Sequence, residues 1–388
     1  MYNTIDMSSF EKKLRYDELQ YENFIRLVSL FEKFIFSMDS EFWKSIVMEL
    51  ENVLSRCDEI DYQSDSTAIA YSIWHFLDRY HRLQIMCKFM LENGFLNRAR
   101  QYDVLDVGTG PSQVLFALSD HFQNLNHIEG NVSCTINPDY VEQSFGFRNF
   151  LHHFVEFALS NGTQYLVPFH LGRTHDAFEI AFKEESYGNY ALGNRLVRKY
   201  TKYRYDITVC NNFLTTKAFV EEYADTLRKI CKYTRNHGLV IIIGASDKSK
   251  KYREMYPVVD DIILNSTRDR LFYTRWDKVF DQEFTYKYDD RYGKVIGSYF
   301  EKVVQYLHDN ELWEKVSSAA QKEFMNNTKV SMSQNELDEW SGVTWKMVVY
   351  RKTSRPTLQK ARVHNKTVHG NPRRLVDDLW RNDVIKDA

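Results

Sequence analysis

Gly108 and Gly110 follow the apolar run Val104-Leu105-Asp106-Val107 and precede Val114, Leu115, Ala117 and Leu118 at helical spacing. That order reads as a buried strand, a tight turn and an amphipathic helix. Glycine gives the turn backbone angles closed to other residues and lets main chain approach a ligand closely. The first amides of the helix direct unsatisfied N–H groups at whatever sits there. Such a turn recognises the polar groups of a nucleotide-like molecule, and Asp106 adds a carboxylate beside it.

Details of the turn separate the chemistries that use it. A dinucleotide site asks for a third glycine where Gln113 stands, and a P-loop asks for Gly-Lys-Ser/Thr, which is absent. The remaining pattern, Asp106-Val107-Gly108-Thr109-Gly110, resembles motif I of the class I S-adenosylmethionine-dependent methyltransferases, with Ser112 where a third glycine is frequent. The resemblance extends over roughly residues 100–250 and a late strand near 343–352. It implies S-adenosylmethionine as cofactor, with Asp106, Gly108, Thr109 and Gly110 curled around its methionine part. It also implies an acidic residue after the second strand to accept hydrogen bonds from the ribose. Spacing favours Glu129 in Asn126-His127-Ile128-Glu129. Strand propensity favours Val132–Ile136 instead, which gives the role to Asn137 or Asp139; Glu129 ranks slightly ahead. The fourth strand, Tyr205–Cys210, would bring Asn211, Asn212 and Phe213 to the ligand.

Methyl transfer requires an aligned nucleophile and, for a hydroxyl, a base. The expected reaction is transfer to an O or N nucleophile of a small molecule or protein. His170, after the run Tyr165–Phe169, and Asn211 are the candidate catalytic residues; His75, His81, His152, His153 and His237 read as packed or surface histidines. Asn137-Pro138-Asp139-Tyr140 is similar to the Asn-Pro-Pro-Tyr of amino-methylating nucleic-acid enzymes, but Asp139 breaks the proline pair and the segment precedes any fourth strand. A nucleic-acid acceptor or partner is the alternative. Segment 187–205 interleaves Arg195, Arg198, Lys199, Lys202 and Arg204 with Tyr190, Tyr200 and Tyr203. Basic segment 354–376 lies within a stretch, 341–376, that lacks Asp and Glu. A third reading is a structural relative that binds cofactor without turnover.

These residues need a scaffold. From residue 102 short β-branched runs alternate with amphipathic helices, the pattern of an α/β fold: a Rossmann-like, mostly parallel sheet with helices on both faces. Tyr205–Cys210 and Leu239–Ile243 bracket a helix carrying Phe219, Tyr223, Leu227 and Ile230, a right-handed crossover. Residues 1–98 form an all-helical N-terminal region, with stripes Tyr21-Ile25-Val28-Phe31-Ile35, Trp43-Ile46-Leu50-Val53 and Ile69-Ile73-Phe76-Tyr80-Leu83-Cys87-Met90, ending at Gly94. This region would serve as a lid, a substrate surface or a homodimer surface, with Tyr80 and Arg82 near the cofactor pocket. The core runs over 99–353 and holds a helical or irregular insertion around 251–340, with helices at 295–309 and 311–326. Val343–Tyr350 adds a late strand, and residues 354–388 are a basic tail.

Composition bounds the rest. Lys and Arg number 51 against 53 Asp and Glu, so any attraction to nucleic acid is local rather than global. Cys57, Cys87, Cys134, Cys210 and Cys231 form no C-x-x-C pair, so no metal site is expected. Leu239–Ile243, the purest apolar run, is too short to span a bilayer, and no leader pattern opens the chain. The expectation is a cytoplasmic protein with no membrane partner.

Overall fold

The computed structural model describes residues 4–356 apart from 57–58, 99, 131–132, 163–175, 179, 181–183, 193–194, 203–204, 247–249, 267–271, 286–289 and 329–343. For 184–192, 195–202, 272–274, 285, 290, 344 and 354–356 only the backbone is described. His170 and most of the basic tail therefore lie outside the described residues, as do 193–194 and 203–204 of the basic segment, of which 187–192 and 195–202 are known by their backbone.

Three helices open the chain: α1 (Phe10–Phe36), α2 (Ser40–Arg56) and α3 (Asp65–Glu92). Ser9 and Ser64 cap α1 and α3, their hydroxyls accepting from Lys12 N and Thr67 N. Gly94, at φ +77°, ends α3 in a left-handed turn in which Gly94 N donates to Leu91 O and Phe95 N to Met90 O. Every residue of the predicted α2 and α3 stripes is buried. On α1 Val28, Phe31 and Ile35 of the predicted stripe are buried, Tyr21 is half-buried and Ile25 is exposed, while Phe24, Leu27 and Phe34 face inward beside them.

The sheet follows. Strands β1 (Gln101–Val107) and β2 (Thr135–Val141) flank helix α4 (Gln113–Glu129), and α5 (Phe145–Ser160) comes after β2. A hairpin, β3 (Glu184–Leu192) with β4 (Arg195–Lys202), makes a separate two-stranded sheet. Strand β5 (Tyr205–Asn211), helices α6 (Lys217–Glu222) and α7 (Ala224–Tyr233), and strand β6 (Thr234–Ala245) form the crossover, whose predicted single helix is broken at Tyr223. Next come α8 (Lys250–Leu264), β7 (Phe272–Thr285), α9 (Asp290–Asp309), α10 (Ser318–Thr328) and β8 (Thr344–Pro356).

Among the described residues the main sheet has six strands in the order β2-β1-β5-β6-β8-β7. The pairs β1–β2, β1–β5 and β5–β6 are parallel, and β8 runs antiparallel between β6 and β7. The insertion expected around 251–340 is thus more regular than its sequence reads. It holds helix α8, which passes through Pro257, and edge strand β7.

Strand alternation divides the core in two. Val104, Ile207, Val209, Ile241, Met347 and Val349 face α1–α5 and α9 in one cluster. Leu105, Cys210, Val240, Ile242, Val348 and Tyr350 face α6–α8 in the other. Helices therefore cover both faces, which is why the strands read as continuous apolar runs. The N-terminal helices are part of this core: Phe31, Phe76, Phe116, Phe150 and Phe154 interlock across α1, α3, α4 and α5. At the amino ends of the strands Asp206 ties the sheet. It accepts from Arg100 and Arg235, both at 2.8 Å, and from Asp103 N at 2.9 Å.

Candidate functional site

In the strand order the chain steps from β1 outward to β2, then returns to the other side of β1 as β5. That reversal opens a crevice at the carboxyl ends of β1 and β5, the place where open α/β sheets bind ligands. Asp106, Gly108, Thr109 and Gly110 lie at the end of β1, and Asn211, Asn212 and Phe213 at the end of β5.

The turn after β1 has the strained backbone that its glycines permit. Gly108 sits at φ +68°, Gly110 at +52° and Ser112 at +66°. Gly108 N and Thr109 N both donate to Val141 O, at 2.9 and 3.1 Å, pinning the turn to the end of β2. A Cβ on Gly108 would stand 2.3 Å from Cδ2 of Phe213, whose ring packs edge-on against Phe219 and Tyr223 and closes the β5 side of the turn. A Cβ on Gly110 would meet nothing within 4 Å, so the turn is open there. Ser112 precedes α4 without a side-chain cap, and its buried hydroxyl has no partner among the described residues.

Two carboxylates flank this opening. Asp106 is fully buried, and neither of its side-chain oxygens has a hydrogen-bond partner among the described residues. Thr109 Oγ1 donates instead to the Asp106 main-chain oxygen at 3.1 Å. Burial first, and then the Glu142 carboxylate, hold the Asp106 pKa well above the usual carboxylate range, against a smaller lowering by the neighbouring Thr109 hydroxyl. Glu142 stands directly after β2; its Oε2 accepts from Gly110 N at 2.6 Å and its Oε1 from Ser144 N at 2.8 Å. Burial raises its pKa too, against the lowering by these amides.

The acidic group beside the turn is therefore Glu142, a residue that sequence reasoning did not single out. Glu129 is the last residue of α4 and pairs with Lys12 at 2.5 Å. Asn137 and Asp139 lie within β2, where Asn137 donates to Asp103 and Asp139 accepts from the Tyr205 hydroxyl. None of the three stands at the carboxyl end of the strand. The Asn137–Tyr140 segment is strand as well, not a loop at an active site.

Tyr80 is core rather than pocket; its hydroxyl donates to Asp120. Arg82, paired with Asp78, does reach the crevice. With Arg79, Asn211, Asn212, Gly244 and Trp345 it lines a cavity of about 10 Å³, room for one water. Asn212, at φ +52°, donates from Nδ2 to Asn211 at 3.1 Å. No cluster of three metal-ligating side chains occurs among the described residues, and no described helix is long and apolar enough to cross a membrane.

No family model matches the chain, and no curated protein does. Among solved structures, phosphoethanolamine N-methyltransferase 2 of Haemonchus contortus, in complex with phosphomonomethylethanolamine and S-adenosylhomocysteine, is 12% identical, with a TM-score of 0.37, over 75% of this chain and 58% of that one. An S-adenosylmethionine-dependent methyltransferase from Geobacter sulfurreducens, bound to S-adenosylhomocysteine, is 13% identical with a TM-score of 0.33, over 71% of this chain and 91% of that one. Coclaurine N-methyltransferase is 12% identical with a TM-score of 0.34, over 88% and 97%. Likenesses this slight decide nothing about the reaction. The Rossmann-like fold rests on the strand order itself.

Proposed function

We propose that this chain is an S-adenosylmethionine-dependent methyltransferase whose cofactor lies across the carboxyl ends of β1, β2 and β5. The observation that carries the reading is Asp106: a fully buried carboxyl group whose oxygens have no hydrogen-bond partner among the described residues, beside an open glycine turn at the sheet's switch point. A buried polar group is normally satisfied, so an orphan here marks a place for ligand donors. The cofactor, when bound, supplies an electrophilic methyl group on a sulfonium.

The chain's own residues bind and orient. Asp106 would receive the polar methionine end, with Gly108 and Gly110 admitting the ligand close to main chain. Glu142 keeps lone pairs beyond those used by Gly110 N and Ser144 N, and these accept the two ribose hydroxyls. Asn211, Asn212 and Phe213 border the reacting side, framed across the crevice by Arg79 and Arg82. Bringing an O or N nucleophile into line with the methyl supplies most of the rate such a site can offer. The acceptor proposed is a small molecule or a protein side chain.

The test is transfer itself. The chain is incubated with cofactor labelled in the methyl group and with fractionated lysate. Label entering a metabolite or protein fraction, and lost with Asp106→Asn, is expected. Cofactor bound but no label moved into any fraction would leave a binding protein without turnover and defeat the proposal.

A further inference from the structure

A sizeable cavity lies away from the crevice. It has a volume of about 590 Å³ and opens between the end of α1, the start of α2, the start of α3 and α5. It shares no lining residue with the Gly108 turn, Glu142 or the end of β5. Its size is that of a small-molecule site.

Aromatic rings make its wall. Phe34 and Phe150 are buried, and Phe42 and Phe157 are half-buried. Phe34 stands 5.9 Å from Phe150 and 5.4 Å from Phe157, both edge-on, and all three line the space. Two carboxylates and one exposed histidine, His153, stand on its lining. Asp65, half-buried, accepts from Asn149 at 3.0 Å and keeps a second oxygen. Glu156, exposed on α5, pairs with the exposed His152 at 3.4 Å. No lysine or arginine lines the cavity.

Aromatic faces and carboxylates both attract cations, and apolar walls hold the carbon around them. We infer that this pocket binds an organic cation, an ammonium carrying apolar substituents, at a site distinct from the proposed cofactor crevice. The rings would enclose the substituents, with the ammonium towards Asp65 and Glu156. A neutral molecule of the same shape would gain the apolar contacts alone, and an anion would be repelled.

Benzyltrimethylammonium chloride is the probe, titrated into the full chain by calorimetry beside its neutral carbon isostere, neopentylbenzene, and beside phenylacetate. Saturable binding of the cation, at least about tenfold tighter than either comparator, is expected. Glu156→Lys, a surface change that leaves the fold alone, should weaken it about threefold to tenfold. Phe42→Leu, which keeps the pocket apolar but removes a ring face, should weaken it comparably, with the helical circular dichroism unchanged. Because the cofactor is itself a sulfonium cation, S-adenosylhomocysteine is added at saturation, and cation binding should persist. Displacement by S-adenosylhomocysteine, equal binding of the neutral isostere, or indifference to both variants would each overturn the inference.

Discussion

Replacing Asp106 by asparagine perturbs the atom on which the functional reading stands. The side chain is fully buried without a hydrogen-bond partner among the described residues, and a second carboxylate, Glu142, is held across the turn by Gly110 N. An unsatisfied buried polar group costs about 1–3 kcal/mol, and a charged one more. The amide keeps the shape and removes the charge, so the free protein should gain about 1–3 kcal/mol. The sign of the pH dependence follows from the raised pKa, caused first by burial and then by Glu142. A carboxyl group raised in the folded state contributes fully below its ordinary value, 3.8, and that contribution is lost as pH rises through the folded value. The advantage of the variant should therefore be smallest below 3.8 and grow as pH rises above it. Cofactor binding should move the other way, losing a charge-assisted hydrogen bond worth about 1.5–3 kcal/mol, or roughly 10- to 150-fold in affinity. Urea midpoints and calorimetric titrations with S-adenosylhomocysteine at three pH values read both effects. A variant less stable than the parent at every pH, with cofactor affinity unchanged, would refute the reasoning, because the carboxylate would then be holding the turn rather than awaiting a ligand.

Three further outcomes follow from the same geometry. Glu142→Gln should weaken S-adenosylhomocysteine binding by about 1–3 kcal/mol while Glu129→Ala leaves it unchanged; the reverse would return the ribose role to α4. Gly108→Ala adds a strained left-handed residue, about 1–2 kcal/mol, and a collision with Phe213, about 1–3 kcal/mol. The urea midpoint should fall and recover in part with Phe213→Leu, and a full fall that persists in the double variant would show that the ring is not the obstacle. Asp206→Ala leaves Arg100 and Arg235 without their shared carboxylate and should cost about 3–5 kcal/mol by urea denaturation; a loss under about 1 kcal/mol would show the network to be dispensable.

Local signals were legible in the chain. The strands at Asp103–Val107, Tyr205–Cys210 and Leu239–Ile243 are apolar on both faces because helices cover both, and each core cluster takes alternate residues. The glycine turn is legible because its backbone angles demand its residue types. Strand β2 hid behind Asn137-Pro138-Asp139, a turn-like run that only a strand at the margin of the ladder tolerates. Glu142 meets Gly110 only through the pairing of β1 with β2, so spacing along the chain does not reveal it. The signal that points to it is Tyr140-Val141, the buried end of the strand, followed at once by an acidic residue. Strand β7 was obscured because an edge strand carries charges, here Asp277, Lys278 and Asp281, where a central one carries valine and isoleucine.

Calorimetric titration of the folded, full-length chain with S-adenosylhomocysteine tests the central claim most directly. The account predicts saturable one-to-one binding that is weakened by Asp106→Asn and by Glu142→Gln and unaffected by Glu129→Ala. Absence of heat with both S-adenosylhomocysteine and S-adenosylmethionine, in protein whose circular dichroism shows it folded, would contradict it.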